Sequence, residues 1–216
     1  MGDLIMQKVI FQIYPHFVER MAKFYQENQQ IQNCDIALLG DSLVEMMETK
    51  YFSLPNKIII NRGIVSDKSA GVLMSLEDRL FKINPKTVFL FVGSNDICDG
   101  YTLKEIENNY SNILKMIESY NPNCKIVMSN IIPPCYYTQY SHIDHIYPDC
   151  RNIDKIIELN KIIASLPNKF SNLKIFDAFS LMADENNSLR SEESLDGVHL
   201  TPKAYQRFVK ELEKLF

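Results

Sequence analysis

Five short apolar runs, alternating with helical patterns, constrain the fold of this chain more than any other feature of its sequence. The runs are rich in leucine, isoleucine, valine and phenylalanine, which is typical of strands buried on both faces. They cover residues 34–40, 57–61, 87–92, 125–131 and 173–176. Alternating strands and helices form a parallel sheet with right-handed crossovers. The sequence therefore predicts an α/β fold with a five-stranded parallel sheet and helices on both faces.

The chain has 216 residues, which is long enough for one domain with a large buried core. It contains no internal repeat, low-complexity segment or interdomain linker. Before the first strand, Phe17, Met21 and Phe24 recur at helical spacing. We therefore expect a single domain over residues 1–216, with residues 1–33 as an N-terminal helical extension.

The charge balance and the hydropathy pattern argue against several classes of partner. The net charge is −4, from 23 basic and 27 acidic residues. The sequence also lacks the dense Lys/Arg cluster that is typical of nucleic-acid binding. No apolar run approaches the roughly 18 residues of a membrane span. The first residues lack the pattern of a secretory signal, so we expect a cytoplasmic protein; secretion stays open if a leader was removed.

The cysteine content favours reduced thiols. The five cysteines are an odd number and none forms a C-x-x-C pair. Because the chain is not small, it does not depend on disulfides for a stable core. A bridge between Cys135 and Cys150 is the less favoured alternative.

The segment Gly40-Asp41-Ser42-Leu43 follows the first predicted strand directly. Open α/β sheets bind their ligands at the carboxyl ends of the strands. A serine between a strand end and a helix start has an exposed hydroxyl and backbone N–H groups beside it. Ser42 is thus a candidate nucleophile. The alternative is that Asp41 or Ser42 only caps the following helix.

Three more polar groups are predicted at the same edge of the sheet. Gly63 and Asn95 follow the second and third strands, and Asp196-x-x-His199 precedes the last helix. Acyl transfer through Ser42 would use His199 as the base and Asp196 to orient it. The backbone N–H groups of Ser42 and Gly63 and the amide of Asn95 would bind the oxyanion. Each residue has a structural alternative as a turn or surface residue, but their joint occurrence favours catalysis without a metal or cofactor.

These residues resemble the four sequence blocks of the GDSL-type (SGNH superfamily) serine esterases and lipases. The blocks are Gly40-Asp41-Ser42-Leu43, Asn61-Arg62-Gly63-Ile64, Gly93-Ser94-Asn95-Asp96 and Asp196-Gly197-Val198-His199. The resemblance covers residues 40–199 in matching order and implies a flavodoxin-like three-layer sandwich that hydrolyses esters. It does not extend to the α/β-hydrolases, because Val44 stands where the G-x-S-x-G motif has its second glycine.

The resemblance implies a serine esterase acting on a small-molecule ester with a small acyl group. We expect acetyl, with acetylated carbohydrate as one candidate substrate. A thioesterase or lysophospholipase with the same site is the alternative among enzymes. An inactive member that binds an ester or glycan is the alternative from another class. The sequence gives no oligomeric state.

The segment over residues 133–150 is longer than a usual strand-to-helix connection and carries four tyrosines and two histidines. Aromatic faces with hydroxyl tips suit the wall of a binding pocket. We expect Tyr136 and Tyr140 to contact the substrate; the alternative is that the tyrosines pack the loop onto the protein. His142 and His145 could form a zinc site, but they lack the glutamate of H-E-x-x-H.

Overall fold

The computed structural model describes residues 14–136 and 146–216. Its centre is a five-stranded parallel sheet of order β2-β1-β3-β4-β5. The strands are β1 (Cys34–Gly40), β2 (Ile59–Gly63), β3 (Pro85–Phe91), β4 (Lys125–Ser129) and β5 (Leu173–Phe176). The predicted α/β fold is confirmed. The second strand runs two residues further than predicted, because its pairing with β1 continues to the register Gly40 opposite Gly63.

Helices follow each strand, and an additional helix precedes the sheet. They are α1 (Pro15–Asn28), α2 (Ser42–Glu45), α3 (Ser69–Met74), α4 (Leu76–Arg79), α5 (Ser94–Cys98), α6 (Leu103–Tyr120), α7 (Ile146–Asp149), α8 (Ile153–Ser165), α9 (Ala178–Met182) and α10 (Pro202–Leu212). The pattern over residues 68–82 predicts one helix, but the structure breaks it at Ser75. The Ser75 hydroxyl donates to the carbonyl of Gly71 at 2.6 Å, and such bonds compete with the helical ladder. None of the helices in the described ranges is long and apolar enough to cross a membrane.

The two central strands are buried on both faces, as their apolar sequences predict. Leu38 of β1 and Phe89 of β3 are fully buried. Phe208 of α10 packs against this centre, with its ring 6.3 Å from Phe89 and 5.0 Å from Phe176. Edge-to-face aromatic pairs of this kind stabilise a fold beyond the area that they bury. These contacts fix α10, and with it the loop before α10, against the sheet.

Helix α1 packs over the carboxyl end of the edge strand β2. Phe24 is fully buried there, and the Arg62 guanidinium lies 4.6 Å from the centre of its ring. The Arg20 side chain donates to the carbonyl oxygen of Gly63 at 2.9 Å. Charged and aromatic groups of α1 therefore cover an edge that would otherwise expose unpaired backbone.

A disulfide joins Cys98 and Cys150, which corrects the prediction of reduced cysteines and the alternative pairing of Cys135 with Cys150. Cys98 ends α5 and Cys150 follows α7 directly. The two segments lie at the same edge of the sheet, where their Cα atoms are 4.6 Å apart, within the range of disulfides. A separation of 52 residues hides this pairing in the sequence. The thiols of Cys34 and Cys124 are buried, and burial raises their pKa values to about 12 and about 11.

Candidate active site

Ser42, His199 and Asp196 form a continuous chain of hydrogen bonds at the carboxyl end of the sheet. Ser42 begins α2, and the loop before α10 brings the other two residues to it. The distance from Ser42 Oγ to His199 Nε2 is 2.8 Å, and that from His199 Nδ1 to Asp196 Oδ2 is 2.5 Å. The structure therefore places the three residues in the order that the sequence predicts for a nucleophile, a base and an orienting carboxylate.

Asp196 is held as a carboxylate. Its burial would raise the pKa, but hydrogen bonds from the side chain and the backbone N–H of His199 outweigh this effect and lower the pKa to about 2. Its Oδ1 atom also accepts the backbone N–H of Val198 at 3.0 Å. A carboxylate only accepts hydrogen bonds, so it selects the imidazole tautomer with the proton on Nδ1. Nε2 is then left to accept the Ser42 proton.

The turn that carries Ser42 is fixed on both sides. A Cβ atom at Gly40 would overlap the carbonyl oxygen of Phe91, so β1 and β3 approach closely here only with glycine. The Asp41 side chain accepts the N–H of Leu43 at 3.0 Å, and the Tyr205 hydroxyl donates to the Leu43 carbonyl at 2.9 Å. Asp41 is thus the cap of α2, and the hydroxyl of Ser42 is not used for capping.

Asn95 reaches the same site from α5, with its side-chain amide held at both ends. Nδ2 donates to the carbonyl oxygen of Asp67 at 3.0 Å, and Oδ1 accepts from the guanidinium of Arg151 at 2.7 Å. Nδ2 carries two hydrogens, so one remains for a ligand. Asn95 lines one cavity together with Ser42 and His199. Its position fits the predicted donor to an oxyanion.

Gly63 does not fit its predicted role, and this prediction is corrected. Its N–H donates to the side-chain oxygen of Asn61 at 2.8 Å, and it is not among the residues that line the cavity around Ser42. A Cβ atom at this position would overlap the backbone nitrogen of Glu45. The glycine therefore allows β2 to pack closely against α2, and its N–H already has a partner.

Ser66, three residues further along the same loop, lines the cavity instead. Its φ angle is 62°, in the left-handed region that is strained for a residue with a side chain. Its N–H forms no hydrogen bond with any part of the chain that the structure describes. Strained backbone of this kind occurs often at functional sites. The sequence gives little signal for it, because glycine or asparagine is the usual residue at positive φ.

The cavity around Ser42 has a volume of about 370 Å³ and a mixed lining. Its apolar parts come from Tyr14, Met46 and Val65. Its charged parts include Lys68, whose ammonium lies 2.8 Å from Asp99 Oδ2. This volume is at the small end of ligand pockets.

Tyr136 lies elsewhere than predicted. It is not among the described residues that line the cavity, and its hydroxyl donates to the backbone carbonyl of Arg151. Its side chain therefore supports the segment of Arg151 rather than a substrate. Tyr140, His142 and His145 lie outside the described residues.

The buried carboxyl of Asp41 gives an expected pH dependence of stability. Burial raises its pKa from 3.8 to about 7, against the hydrogen bond from the Leu43 N–H. The folded protein then holds a proton that the unfolded chain has released, so this group lowers stability as pH rises from about 4 to about 7. Asp41→Asn cannot ionise and keeps an oxygen for Leu43. We expect the melting temperature of Asp41→Asn, relative to that of the wild type, to increase across this pH interval and to stay constant above it. An equal difference at pH 4 and pH 8 contradicts the assignment.

A family model and several characterised proteins are similar to this chain. The model of the GDSL-like Lipase/Acylhydrolase family matches residues 38–207. The platelet-activating factor acetylhydrolase IB subunit alpha2 of Gallus gallus is 25% identical over 201 residues, which are 88% of this chain and 81% of that protein. An arylesterase of Vibrio mimicus is 31% identical over 114 residues, about half of each chain.

Solved structures with the same fold match nearly the whole chain. A candidate platelet activating factor from Streptococcus pneumonia superposes with a TM-score of 0.84 at 25% identity, over 93% of this chain and 92% of that one. The matched family model spans all four sequence blocks and the sheet that brings them together. Ester hydrolysis is therefore the class of reaction that the family match supports for this chain. The chain is a member of the GDSL-like lipase/acylhydrolase family.

Proposed function

We propose that this protein is a serine esterase that removes a short acyl group, acetyl above all, through an acyl-enzyme on Ser42. The observation that carries the proposal is the hydrogen-bonded chain from Ser42 through His199 to Asp196, which opens on a cavity. A serine hydroxyl is a weak nucleophile until a neighbouring base accepts its proton. The 2.8 Å contact to Nε2 supplies this base before any substrate binds.

In the proposed reaction, Ser42 Oγ forms a bond with the ester carbonyl carbon while its proton moves to His199 Nε2. The tetrahedral intermediate then loses the alcohol as its C–O bond breaks, and His199 returns the proton to the leaving oxygen. Water repeats the sequence on the acyl-enzyme, with His199 again as the base, and releases the acid. Asp196 remains a carboxylate throughout and stabilises the imidazolium.

We assign the oxyanion to three donors around the cavity: the N–H groups of Ser42 and Ser66 and the second Nδ2–H of Asn95. Ser42 N and Ser66 N have no hydrogen-bond acceptor within the described ranges, and all three residues line the cavity. Donors that are already aimed at the developing charge lower the barrier most, because they need no rearrangement during the reaction. Gly63 takes no part in this set.

The short acyl group is supported by the cavity and by the relatives. Ionic groups such as Lys68 and Asp99 occupy the wall where a long alkyl chain would need apolar contacts. The names of the relatives in Gallus gallus and Vibrio mimicus describe an acetylhydrolase and an arylesterase. Tyr136, one of the two tyrosines expected to contact the substrate, does not line the cavity. We therefore limit the proposal to the acyl half of the substrate.

The test is a series of p-nitrophenyl esters with acyl chains from two to twelve carbons. We expect the highest kcat/KM for acetate, a steep decline beyond butyrate and no burst of p-nitrophenol with Ser42→Ala. An increase with chain length would instead support the lysophospholipase alternative.

Labelling with a small fluorophosphonate separates an enzyme from an inactive relative. The phosphonyl group should appear by mass spectrometry on the peptide that contains Ser42. Ser165 serves as a matched control, since its hydroxyl donates to the Ile162 carbonyl at 2.7 Å and lies outside the cavity. Absence of the label together with absence of turnover would favour the binding-protein alternative.

A further inference from the structure

We propose that Arg151 is a positioning residue of the oxyanion site, which acts through Asn95 and is held in place by the Cys98–Cys150 disulfide. The proposal rests on the proposed function, because it concerns how the Asn95 amide is prepared for the oxyanion. Arg151 lies outside the four sequence blocks.

The Arg151 guanidinium spans two neighbouring residues of one short helix. Nη2 donates to Asn95 Oδ1 at 2.7 Å, and Nε donates to Ser94 Oγ at 2.8 Å. The residue is only 6% exposed, although it lines the cavity. The rigid, planar fork of donors can make both contacts at once, which a lysine ammonium on a flexible chain cannot reproduce. Arg151 therefore fixes the start of α5 and the amide that projects from it.

The contact selects one of the two orientations of the Asn95 amide. In the observed orientation, Oδ1 faces a donor, Arg151, and Nδ2 faces an acceptor, the Asp67 carbonyl. The flipped amide would place NH2 against the guanidinium and oxygen against the carbonyl oxygen. Both contacts would be repulsive in a partly buried place, where unmade hydrogen bonds are costly. The orientation that leaves an N–H for the oxyanion is thus fixed before substrate binds.

The guanidinium also makes that N–H a stronger donor. Hydrogen bonds with a charged partner are shorter and roughly twice as strong as neutral ones. A cation on the amide oxygen draws electron density from the amide nitrogen, so hydrogen bonds along the chain strengthen one another. Burial lowers the pKa of Arg151, and the nearby acidic groups of Asp41 and Asp196 oppose this change. An arginine with these neighbours keeps its charge at neutral pH.

The disulfide connects the two sides of this contact. Cys98 is the last residue of α5, three positions after Asn95, and Cys150 directly precedes Arg151. Nη1 of Arg151 lies 3.3 Å from the Cys150 sulfur, beside the bridge itself. The bridge therefore joins the segment of Arg151 covalently to α5, next to the contact between Arg151 and Asn95.

The test compares Arg151→Met, Asn95→Ala and the double variant in turnover of p-nitrophenyl acetate. Loss of a hydrogen bond from a charged donor corresponds to about a 10- to 100-fold decrease, and we expect it in kcat with little change in KM. Because Arg151 acts through Asn95, the double variant should be no slower than Asn95→Ala alone. Arg151→Lys should lie between Arg151→Met and the wild type.

Arg190→Met is the matched control, since Arg190 is partly buried and donates to backbone carbonyls, those of Leu181, Met182 and Ala183. It should lower the melting temperature and leave kcat unchanged. A raised KM with normal kcat in Arg151→Met would show that Arg151 contacts substrate, and fully additive losses would show that it acts apart from Asn95. Either result overturns the proposal.

The disulfide provides a second test that does not depend on the folding of Arg151→Met. Two thiols of dithiothreitol reduce the bridge, so that Cys98 and Cys150 become thiols and the reductant becomes a cyclic disulfide. We expect a several-fold decrease in kcat on reduction of the wild type, and the same decrease in Cys98→Ser/Cys150→Ser without reductant. Asn95→Ala should not respond to reduction, because the amide to be positioned is absent.

An unchanged kcat after complete reduction would remove the disulfide from the proposal. These outcomes stay distinct from a failure of the proposed function. If the wild type does not hydrolyse the ester or react with fluorophosphonate, the function itself is wrong. If the wild type is active and Arg151→Met equals it in kcat, only the role of Arg151 is wrong.

Discussion

Replacing Ser42 or His199 with alanine is expected to remove almost all ester turnover, a loss on the order of 10⁶ in kcat for each. The reason is that the two residues, 2.8 Å apart, act as one unit. Without His199 the Ser42 hydroxyl keeps its proton, and without Ser42 there is no nucleophile for His199 to activate. Asp196→Ala is expected to cost less, roughly 10⁴, since Asp196 orients the base and exchanges no proton with the substrate. Steady-state rates with p-nitrophenyl acetate measure all three losses.

The double variant Ser42→Ala/His199→Ala discriminates this unit from independent contributions. Its rate should equal that of either single variant, because residues that act as a unit have strongly non-additive effects. A rate far below both would mean that His199 assists the reaction without Ser42. Ser165→Ala is the control for removal of a serine hydroxyl outside the cavity and should retain full activity. The wild-type rate should also decrease as pH is lowered, since only a neutral imidazole accepts the proton.

The sheet and the three catalytic candidates could be predicted because their signals are local. Each strand is a continuous apolar run that ends in polar residues, and the carboxyl ends of parallel strands meet at one edge. Asp196 and His199 are three residues apart in one loop, so their contact depends on a single turn. Ser42 required only the position of the strand end at Gly40.

The loop over residues 63–66 could not be predicted from such local signals. Gly63 is the glycine in its sequence block, but strand pairing extends to it and the Asn61 side chain takes its N–H. Ser66, three residues further along, lines the cavity in its place, and its backbone adopts a left-handed angle. A serine gives no sign of this conformation, which the surrounding structure imposes on it. Glu45 contributes to that surrounding structure, since its carboxylate accepts the N–H of Val65 at 2.6 Å.

The contacts of Arg151 and the disulfide could not be predicted because both join residues far apart in the chain. Arg151 follows an irregular segment of the sequence, and its partners Ser94 and Asn95 are more than 50 residues earlier. The pairing of Cys98 with Cys150 has the same origin, since it requires the exact path of the chain across the sheet edge. An odd number of cysteines points away from such a bridge, although a chain can hold one disulfide and several buried thiols.

Replacing Asn95 with alanine is the second large effect that we expect, a decrease of about 10²–10³ in kcat with little change in KM. The Nδ2–H interacts with negative charge on the substrate oxygen, which develops only in the transition state, so its loss hardly changes ground-state binding. Asn95→Asp should be slower still. Its carboxylate would keep the contact with Arg151 but present an oxygen, and a negative charge, to the oxyanion.

A nearby asparagine provides the control that separates this effect from general destabilisation. Asn109 donates to the hydroxyl of Ser69 at 2.9 Å and is absent from the cavity lining, so Asn109→Ala should retain kcat even where its melting temperature falls. The decisive result is whether Asn95→Ala changes kcat or KM, compared with Asn109→Ala under conditions where both variants are folded. If Asn95→Ala shows normal kcat and a raised KM, Asn95 binds the substrate in its ground state. The oxyanion would then depend on the backbone N–H groups of Ser42 and Ser66 alone, and the orientation of the amide by Arg151 would affect affinity in place of the chemical step.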